Sequence, residues 1–276
     1  MLLPYTPCLP SSAFYGTCPT FAAFHRLWGK LCLMNGCPEF LRKTSMSTIR
    51  HIRAVIGSNL LLNWYPKLLG YTFRRAVTEK DFEIACSIRH AVYTECGYLD
   101  AGEQWENKFH DEYDDASVTF LAFYKGTPIG TIRLTNTRQG SPVFEHFNIL
   151  NAEALMRETC CEIGRFAVLE AYRKSKRFAS VGLIGKCYYH SLGNDIERWV
   201  GYGPHYILKS FMLFTKPKTL PLGPLSETHL EARQLLSGYF HKHEDHLVVF
   251  SINIARTKPW WALGYHLKNL IFRTDE

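Results

Sequence analysis

The sequence lacks the cysteine patterns of a metal site or of a disulfide framework. It contains nine cysteines in 276 residues, an odd number, and no two of them have the Cys-x-x-Cys spacing. The adjacent thiols of Cys160 and Cys161 cannot easily bind one metal ion together. We therefore expect no metal site, and free thiols of this kind indicate a reducing, cytoplasmic compartment.

Long apolar runs are also missing. The run from Ala54 to Leu62 is too short to span a membrane, so no transmembrane segment is predicted. Five prolines interrupt the apolar stretches of residues 1–45, and no secretory signal is clear there. We expect residues 1–45 to be a leader outside the working protein, which would begin near Met46. Residues 46–70 then form an amphipathic N-terminal segment.

Acidic residues are nearly absent from the first 70 positions. The chain carries 32 Lys and Arg against 25 Asp and Glu, a net charge of +7. Residues 1–70 hold seven of those basic residues and one acid, Glu39, so the body that follows is almost neutral. A nucleic-acid-binding domain needs a basic stripe on its own surface. The charge distribution therefore argues against a nucleic-acid partner.

The remaining composition is that of a globular protein, with 46% hydrophobic and 21% charged residues. From Tyr71 onwards, strand-like and helix-like patterns alternate, which predicts an α/β fold with a mixed central sheet flanked by helices. We assign residues 71–214 to a core and residues 215–276 to a C-terminal α/β extension. The predicted strands are Tyr71–Val77, Val118–Tyr124, Pro128–Thr135, Cys160–Leu169, Arg198–Gly203 and Leu247–Ile254. The predicted helices run from Thr78 to about Glu95, over Arg177–Leu192, from Ser226 to about Phe240, and after Trp260.

Charged residues that could carry chemistry stand within or just before these elements. Asp111 and Asp114 precede a strand, where acids usually form a solvated turn. Arg133 alternates with apolar neighbours and would face solvent. Glu162 and Arg165 are three residues apart on one strand, so we expect them on opposite faces. Each residue taken alone is a weak indication of function.

Their order and spacing are more specific. A helix carrying Arg89 is followed by Asp-x-Tyr-Asp at 111–114, Gly-x-x-Arg-Leu at 130–134 and Glu-x-x-Arg-Phe-x-Val at 162–168. This series resembles the acyl-homoserine lactone (autoinducer) synthases and the long-chain N-acyl amino acid synthases. Both belong to the GCN5-related N-acyltransferase (GNAT) superfamily, and the resemblance covers residues 71–205. It implies a GNAT-like fold and transfer of a fatty acyl group from acyl carrier protein to an amine.

The resemblance also implies a catalytic set. Glu162 matches the strand glutamate of the family and is the predicted general base for the amine. The backbone N–H groups of Phe166 and Val168 would bind the oxyanion of the tetrahedral intermediate. The general acid is unassigned, and Tyr206 is a candidate only by its approximate position.

A second group of residues would bind the amino acid acceptor. Asp111 and Asp114 would hold its ammonium group, and Arg89, Arg133 or Arg165 would pair with its carboxylate. The arginines could equally hold the acidic residues in place, and this second role is slightly favoured for Arg89.

The loop after the central strand departs from the acetyl-coenzyme A enzymes of the superfamily, because no glycine occurs in it before Gly182. It is basic instead, with its cations at Arg173, Lys174, Lys176 and Arg177. Such a loop is either a solvated helix start or a contact for the acidic acyl carrier protein. The predicted donor is therefore the acyl-phosphopantetheine of that carrier, with acyl-coenzyme A left open and no tightly bound cofactor expected.

Between the two family alternatives we favour the N-acyl amino acid synthase. The lactone synthases have a tryptophan-rich N-terminal pocket, whereas the first tryptophan after the helix here is Trp105. An alternative of another class is a non-catalytic module that binds acyl groups or acyl carrier protein. Peripheral membrane contact, through the product or the N-terminal segment, is also left open.

Overall fold

The computed structural model of this chain describes the end of the N-terminal segment and parts of the core and of the C-terminal extension. The chain divides into two units, Met1–Met46 and Ser47–Glu276, and every described residue lies in the second. The predicted leader, most of the amphipathic segment, the predicted C-terminal helix and Lys174, Lys176 and Arg177 all lie outside the described residues. The described ranges are 65–99, 109–156, 159–173, 178–211 and 216–254.

These residues form one seven-stranded sheet in the order β1-β2-β3-β4-β5-β7-β6. Neighbouring strands are antiparallel except for β4 and β5, which are parallel, so the predicted mixed α/β fold is confirmed. The strands are β1 (Tyr71–Arg75), β2 (Ser117–Tyr124), β3 (Thr127–Asn136), β4 (Cys160–Val168), β5 (Arg198–Pro204), β6 (Lys218–Thr219) and β7 (Leu247–Asn253).

Helices cover both faces of this sheet. Two of them are long: α2 begins at a capping box formed by Thr78 and Asp81, and α6 follows the basic loop. The described helices are α1 (Tyr65–Leu68), α2 (Glu79–Glu95), α3 (Pro142–His146), α4 (Ala152–Met156), α5 (Glu170–Arg173), α6 (Phe178–Gly193), α7 (Leu208–Phe211), α8 (Glu227–Ala232) and α9 (Ser237–His243). None of them is long and apolar enough to cross a membrane.

The single helix predicted from Ser226 to Phe240 is wrong. The structure has α8 and α9 there, separated by a 3-10 turn over Gln234–Leu236. Arg233, at the break, donates a hydrogen bond to the His146 carbonyl at 2.9 Å, and its guanidinium lies 4.7 Å from the centre of the Phe240 ring. These tertiary contacts compete with helix continuation, and local sequence does not reveal them.

Two apolar cores lie on opposite faces of the sheet. The core under α2 contains Ile88 and Val92, and the core under α6 contains Leu183 and Ile184. The C-terminal extension adds β7 and the short β6 to the edge of the sheet beyond β5. The extension therefore completes the fold of the core rather than forming a separate domain.

The parallel pair β4 and β5 is joined over only part of its length. Pairing runs from Cys160 with Arg198 to Glu162 with Val200, although both strands continue for several residues. A β-carbon at Gly201 would stand 2.7 Å from the Ile163 carbonyl oxygen, so glycine is needed for the close approach just after the last paired residue, Val200. Beyond this point β5 pairs with β7 alone, and a cleft opens beside β4.

The helix–sheet contact at Gly182 gives a test of this packing. A β-carbon at this position would lie 2.1 Å from the ring of Phe73, so Gly182→Ala should lower the free energy of unfolding by about 1–3 kcal/mol. Helix propensity alone would favour alanine by about 0.5–1 kcal/mol. Urea unfolding measures the change, and Gly193→Ala, whose β-carbon meets nothing within 4 Å, is the control. Equal stability of both variants would contradict the packing.

Candidate active site

A β-bulge in β4 arranges the candidate site. Thr131 of β3 pairs with Ala167 and Arg133 pairs with Gly164, so β4 has one residue more than β3 over this stretch. Arg165 takes up the excess in the left-handed region, with φ of 49°. The bulge turns the Arg165 side chain to the face that carries Glu162, and both residues line the same cavity. The expectation that these two side chains lie on opposite faces is wrong for this reason.

Three arginines from three elements meet two carboxylates beneath this bulge. Arg89 of α2 donates two hydrogen bonds to Asp114, at 2.7 and 2.8 Å. Arg133 of β3 donates to Asp114 at 2.9 Å and also to Asp111, and Arg165 donates to Asp111 at 2.8 Å. The side chains of Arg89 and Arg133 are 1% exposed and that of Asp111 is 5% exposed. We call these five residues the charge network.

The charge network determines the ionisation state of its two carboxylates. Burial raises the pKa of Asp111, but its arginine partners outweigh burial and hold that pKa well below its usual range. The pKa of Asp114 is lowered in the same way by Arg89 and Arg133 against burial. Both carboxylates are thus ionised and already paired. The arginines were predicted either to bind the acceptor carboxylate or to hold the acidic residues in place, and the geometry favours the second role. The prediction that Arg133 faces solvent is wrong, because its side chain is buried.

Glu162 lies next to the charge network and is also buried. One carboxylate oxygen, Oε2, accepts hydrogen bonds from the Ser141 hydroxyl and from the Val143 amide, the latter at 2.8 Å. The other oxygen, Oε1, lies over Gly164, 2.9 Å from where a β-carbon would stand. Burial raises the pKa of Glu162 against the effect of these hydrogen bonds and of Arg133. A carboxylate held by one oxygen, with the other facing a cavity and a raised pKa, suits a general base.

Backbone donors flank this carboxylate. The Leu169 N–H donates to the Ile129 carbonyl on β3 at 3.0 Å, so alternation along the strand turns the N–H groups of Phe166 and Val168 towards the opposite edge. That edge faces the cleft from which β5 has diverged. The Val168 carbonyl is occupied by Arg173 Nε at 2.6 Å. Phe166 lines the same cavity as Glu162, whereas Val168 lies beyond its lining.

The cavity runs between the diverging strands and has two kinds of wall. One wall is apolar and includes Ile163, Phe166 and Phe250. The other carries Glu162, Arg165 and a set of tyrosine side chains. The tyrosines are Tyr93, Tyr98, Tyr202, Tyr206 and Tyr239. The cleft therefore joins an apolar compartment to a hydroxyl-rich one at the position of Glu162.

The structure also describes Arg173, predicted to contact the acyl carrier protein, and Tyr206, the candidate general acid. Arg173 pairs with Glu95 at 2.9 Å in addition to its bond with the Val168 carbonyl, so its guanidinium stabilises the end of β4 as well as facing solvent. Tyr206 is 58% exposed and lies at the mouth of the cavity. It remains a candidate general acid, in contact with the ring of His243.

Four further residues lie at the cavity or contact the residues that line it, and no sequence motif indicates them. They are Ser141, His146, Tyr202 and Tyr239. They come from α3 and its N-cap, from β5 and from α9, and neither local spacing nor a motif connects them to Glu162. The one local sign of a special position is that Tyr202 stands between Gly201 and Gly203, because an aromatic residue flanked by two glycines is unusual in a strand.

Comparisons with known proteins agree with this geometry. Residues 85–200 match the family model of the N-acyl amino acid synthase FeeM. The predicted resemblance to the N-acyltransferases is confirmed. The match runs from within α2 into β5 and includes the loop before β2, so it spans the whole charge network and Glu162. It confirms acyltransferase as the enzyme class. A search of curated proteins found no match.

Several solved structures are similar to this chain at low sequence identity. The CoA-dependent acyl-homoserine lactone synthase BjaI superposes with a TM-score of 0.51 and 17% identity, over 72% of this chain and 89% of its own. The acyl-homoserine lactone synthase LasI has a TM-score of 0.49 and 16% sequence identity, and the superposition covers 70% of this chain and 94% of LasI. FeeM, an N-acyl amino acid synthase from uncultured soil microbes, has a TM-score of 0.47 and 17% sequence identity, and the superposition covers 67% of this chain and 92% of FeeM.

The charge network predicts a large loss of stability on removing one carboxylate. Asp111→Asn leaves the buried charges of Arg133 and Arg165 poorly compensated, which should cost about 3–5 kcal/mol of unfolding free energy at pH 7. Because the pKa of Asp111 is depressed in the folded protein, its stabilisation is present above the usual carboxyl pKa and is lost as the pH falls. The difference between variant and wild type should therefore shrink below about pH 4.

Chemical unfolding at several pH values measures this difference. Asp195→Asn is the matched control, because Asp195 is exposed and asparagine tolerates its positive φ of 52°. An Asp111→Asn variant as stable as the control at pH 7 would contradict the proposed role of the network.

Proposed function

We propose that this protein is a cytoplasmic N-acyltransferase that moves a fatty acyl group from acyl carrier protein to the amine of an amino acid. The observation that carries the proposal is that Glu162, held through one oxygen by Ser141 and Val143, lines the same cavity as Phe166 of its own strand. The match of residues 85–200 to the N-acyl amino acid synthase family supports the amino acid as acceptor.

The chemistry needs a base and an oxyanion site at one thioester carbonyl. The amine nitrogen attacks that carbon while Glu162 Oε1 takes a proton from nitrogen. The N–H groups of Phe166 and Val168 stabilise the oxyanion of the tetrahedral intermediate. Its collapse breaks the carbon–sulfur bond and leaves an amide, and the thiolate gains a proton equivalent to the one that Glu162 removed. No external oxidant or cofactor enters the balance.

The walls of the cavity suit the two substrates. The apolar wall formed by Ile163, Phe166 and Phe250 can bury the methylene chain of a fatty acyl group. The opposite wall, with Glu162 and the tyrosine hydroxyls, can receive the polar acceptor. This division places the reacting carbonyl beside the bulge of β4, between the two compartments.

Acyl carrier protein is the proposed donor because the loop after β4 has no glycine-rich cradle for a pyrophosphate and is basic instead. Arg173 is the described member of this loop, and it is bound to Glu95. Electrostatic attraction of an acidic carrier would speed association and would weaken as salt screens it. Purified full-length protein with tetradecanoyl acyl carrier protein or tetradecanoyl-coenzyme A distinguishes the two donors.

The acceptor is identified in the same reaction. The twenty amino acids are supplied together, with adenosylmethionine in a parallel sample, and products are read by mass spectrometry. An N-acyl amino acid supports the proposal, whereas an acyl-homoserine lactone formed only with adenosylmethionine would assign the lactone synthase activity instead. Binding of the acyl carrier protein without any product would favour the non-catalytic module.

Glu162→Gln tests the base. Glutamine keeps the size of the side chain and can still accept from Ser141 and Val143, but it cannot take a proton. We expect kcat to fall about 100- to 10,000-fold with the affinity for the acyl donor unchanged. Glu227→Gln, on the exposed first turn of α8, should keep the wild-type rate. Wild-type turnover in the Glu162→Gln variant would refute the mechanism.

The pH dependence gives an independent test. Because burial raises the pKa of Glu162, the acid limb of kcat/KM should lie above the usual range of a glutamate. The Ser141 hydrogen bond favours the ionised carboxylate, so Ser141→Ala should move this limb to still higher pH. Ser191→Ala removes a hydrogen bond to the buried Trp199 instead and should leave the limb in place. Identical profiles for wild type and Ser141→Ala would contradict the assignment.

A further inference from the structure

Tyr202 occupies a central position in the cleft. It lies on β5 just beyond Val200, the last residue of that strand joined to β4, and it lines the cavity together with Glu162. Its hydroxyl is 3.0 Å from Nδ1 of His146, a residue of α3 that is 5% exposed. The tyrosine is thus held at the divergence of the strands by a buried partner.

The hydrogen bond between Tyr202 and His146 can run in either direction. Burial, and to a smaller extent the charge of Arg165, lowers the pKa of His146 to about 3, so the imidazole is neutral at physiological pH. A neutral imidazole has one N–H and one lone pair, so Nδ1 either accepts a hydrogen bond from the Tyr202 hydroxyl or donates one to it.

The oxygen of the Tyr202 hydroxyl has two lone pairs. Both stay available when the hydroxyl donates to His146 Nδ1, and one stays available when it accepts from Nδ1. In either arrangement Tyr202 can accept a hydrogen bond on the wall of the cavity that Glu162 also lines.

We propose that Tyr202 Oη, oriented by His146, and Glu162 Oε1 form the subsite that binds the primary amine of the acceptor. This inference rests on the proposed function. The bound ammonium donates to both oxygens and first loses one proton to solvent. The neutral nitrogen then donates one N–H to each oxygen with its lone pair facing the thioester carbon, and Glu162 takes the second proton during the attack while the nitrogen still donates to Tyr202. Tyr202 contacts the acceptor, and His146 is a positioning residue that acts through it.

This subsite explains how an amine is bound although Asp111 and Asp114 are occupied. Their carboxylates are taken by the three arginines of the charge network, as the distances above show. The acceptor amine therefore needs other oxygens. Glu162 and Tyr202 supply them at the edge of the cavity, while the charge network supports β3 and β4 behind it.

The test separates the two substrates kinetically. With the full-length protein and tetradecanoyl acyl carrier protein at saturation, the amino acid mixture is varied, and the donor is then varied at saturating amino acids. Tyr202→Phe should raise the apparent KM for the amino acids about tenfold, the size expected for a hydrogen bond to a charged group, and leave the KM for the donor unchanged. Tyr189→Phe, a buried tyrosine on α6 outside the cleft, is the control and should change neither KM.

The role of His146 is tested in a double-mutant cycle. His146→Phe should raise the KM for the amino acids alone, and it should add nothing further in the Tyr202→Phe background, because both changes remove the same oriented acceptor. Circular dichroism confirms that each variant is folded. An unchanged KM for the amino acids in folded Tyr202→Phe, with active wild type, refutes the subsite. Additive effects of the two substitutions refute the positioning role. Absence of product from wild type refutes the proposed function itself, which is a separate result.

Discussion

The sharing of two buried carboxylates among three arginines is the interaction on which the candidate site depends. Removing ionised groups from water costs several kcal/mol for each ion, and only close pairing offsets that cost. Asp111 and Asp114 meet this condition because each contacts two arginines. Because the partners come from α2, β3 and β4, the pairing fixes the loop before β2 against the bulged strand. Without it, the face of the sheet beside Glu162 would carry unpaired charges.

The bulge and the divergence of β4 from β5 turn this supported face into a cavity. The bulge places Arg165 on the side of Glu162, and the divergence leaves backbone N–H groups of β4 facing open space. The C-terminal extension contributes as well, since Leu236, Tyr239 and Phe250 line the same cavity. The extension therefore belongs to the site, a role that its own sequence pattern does not indicate.

The sequence predicted much of the fold, because hydrophobic periodicity and capping residues act locally. The helix predicted from Thr78 and the two strands predicted over Val118–Tyr124 and Pro128–Thr135 are examples, which the structure has as α2, β2 and β3. It also predicted the members of the charge network and Glu162, through the order of their motifs. It did not predict the break between α8 and α9 or the shared face of Glu162 and Arg165. Both depend on contacts between segments far apart in the chain.

The sequence by itself determined which residues carry charge, which segments form strands, and the resemblance to N-acyltransferases over residues 71–205. Only the tertiary structure decided what each charged group contacts. Asp111 and Asp114 pair with arginines instead of standing free, Glu162 keeps one oxygen open over Gly164, and a histidine of α3 orients a tyrosine of β5. The physical reason is that ion pairing and hydrogen-bond direction depend on distances and burial, which are set when separate elements pack together.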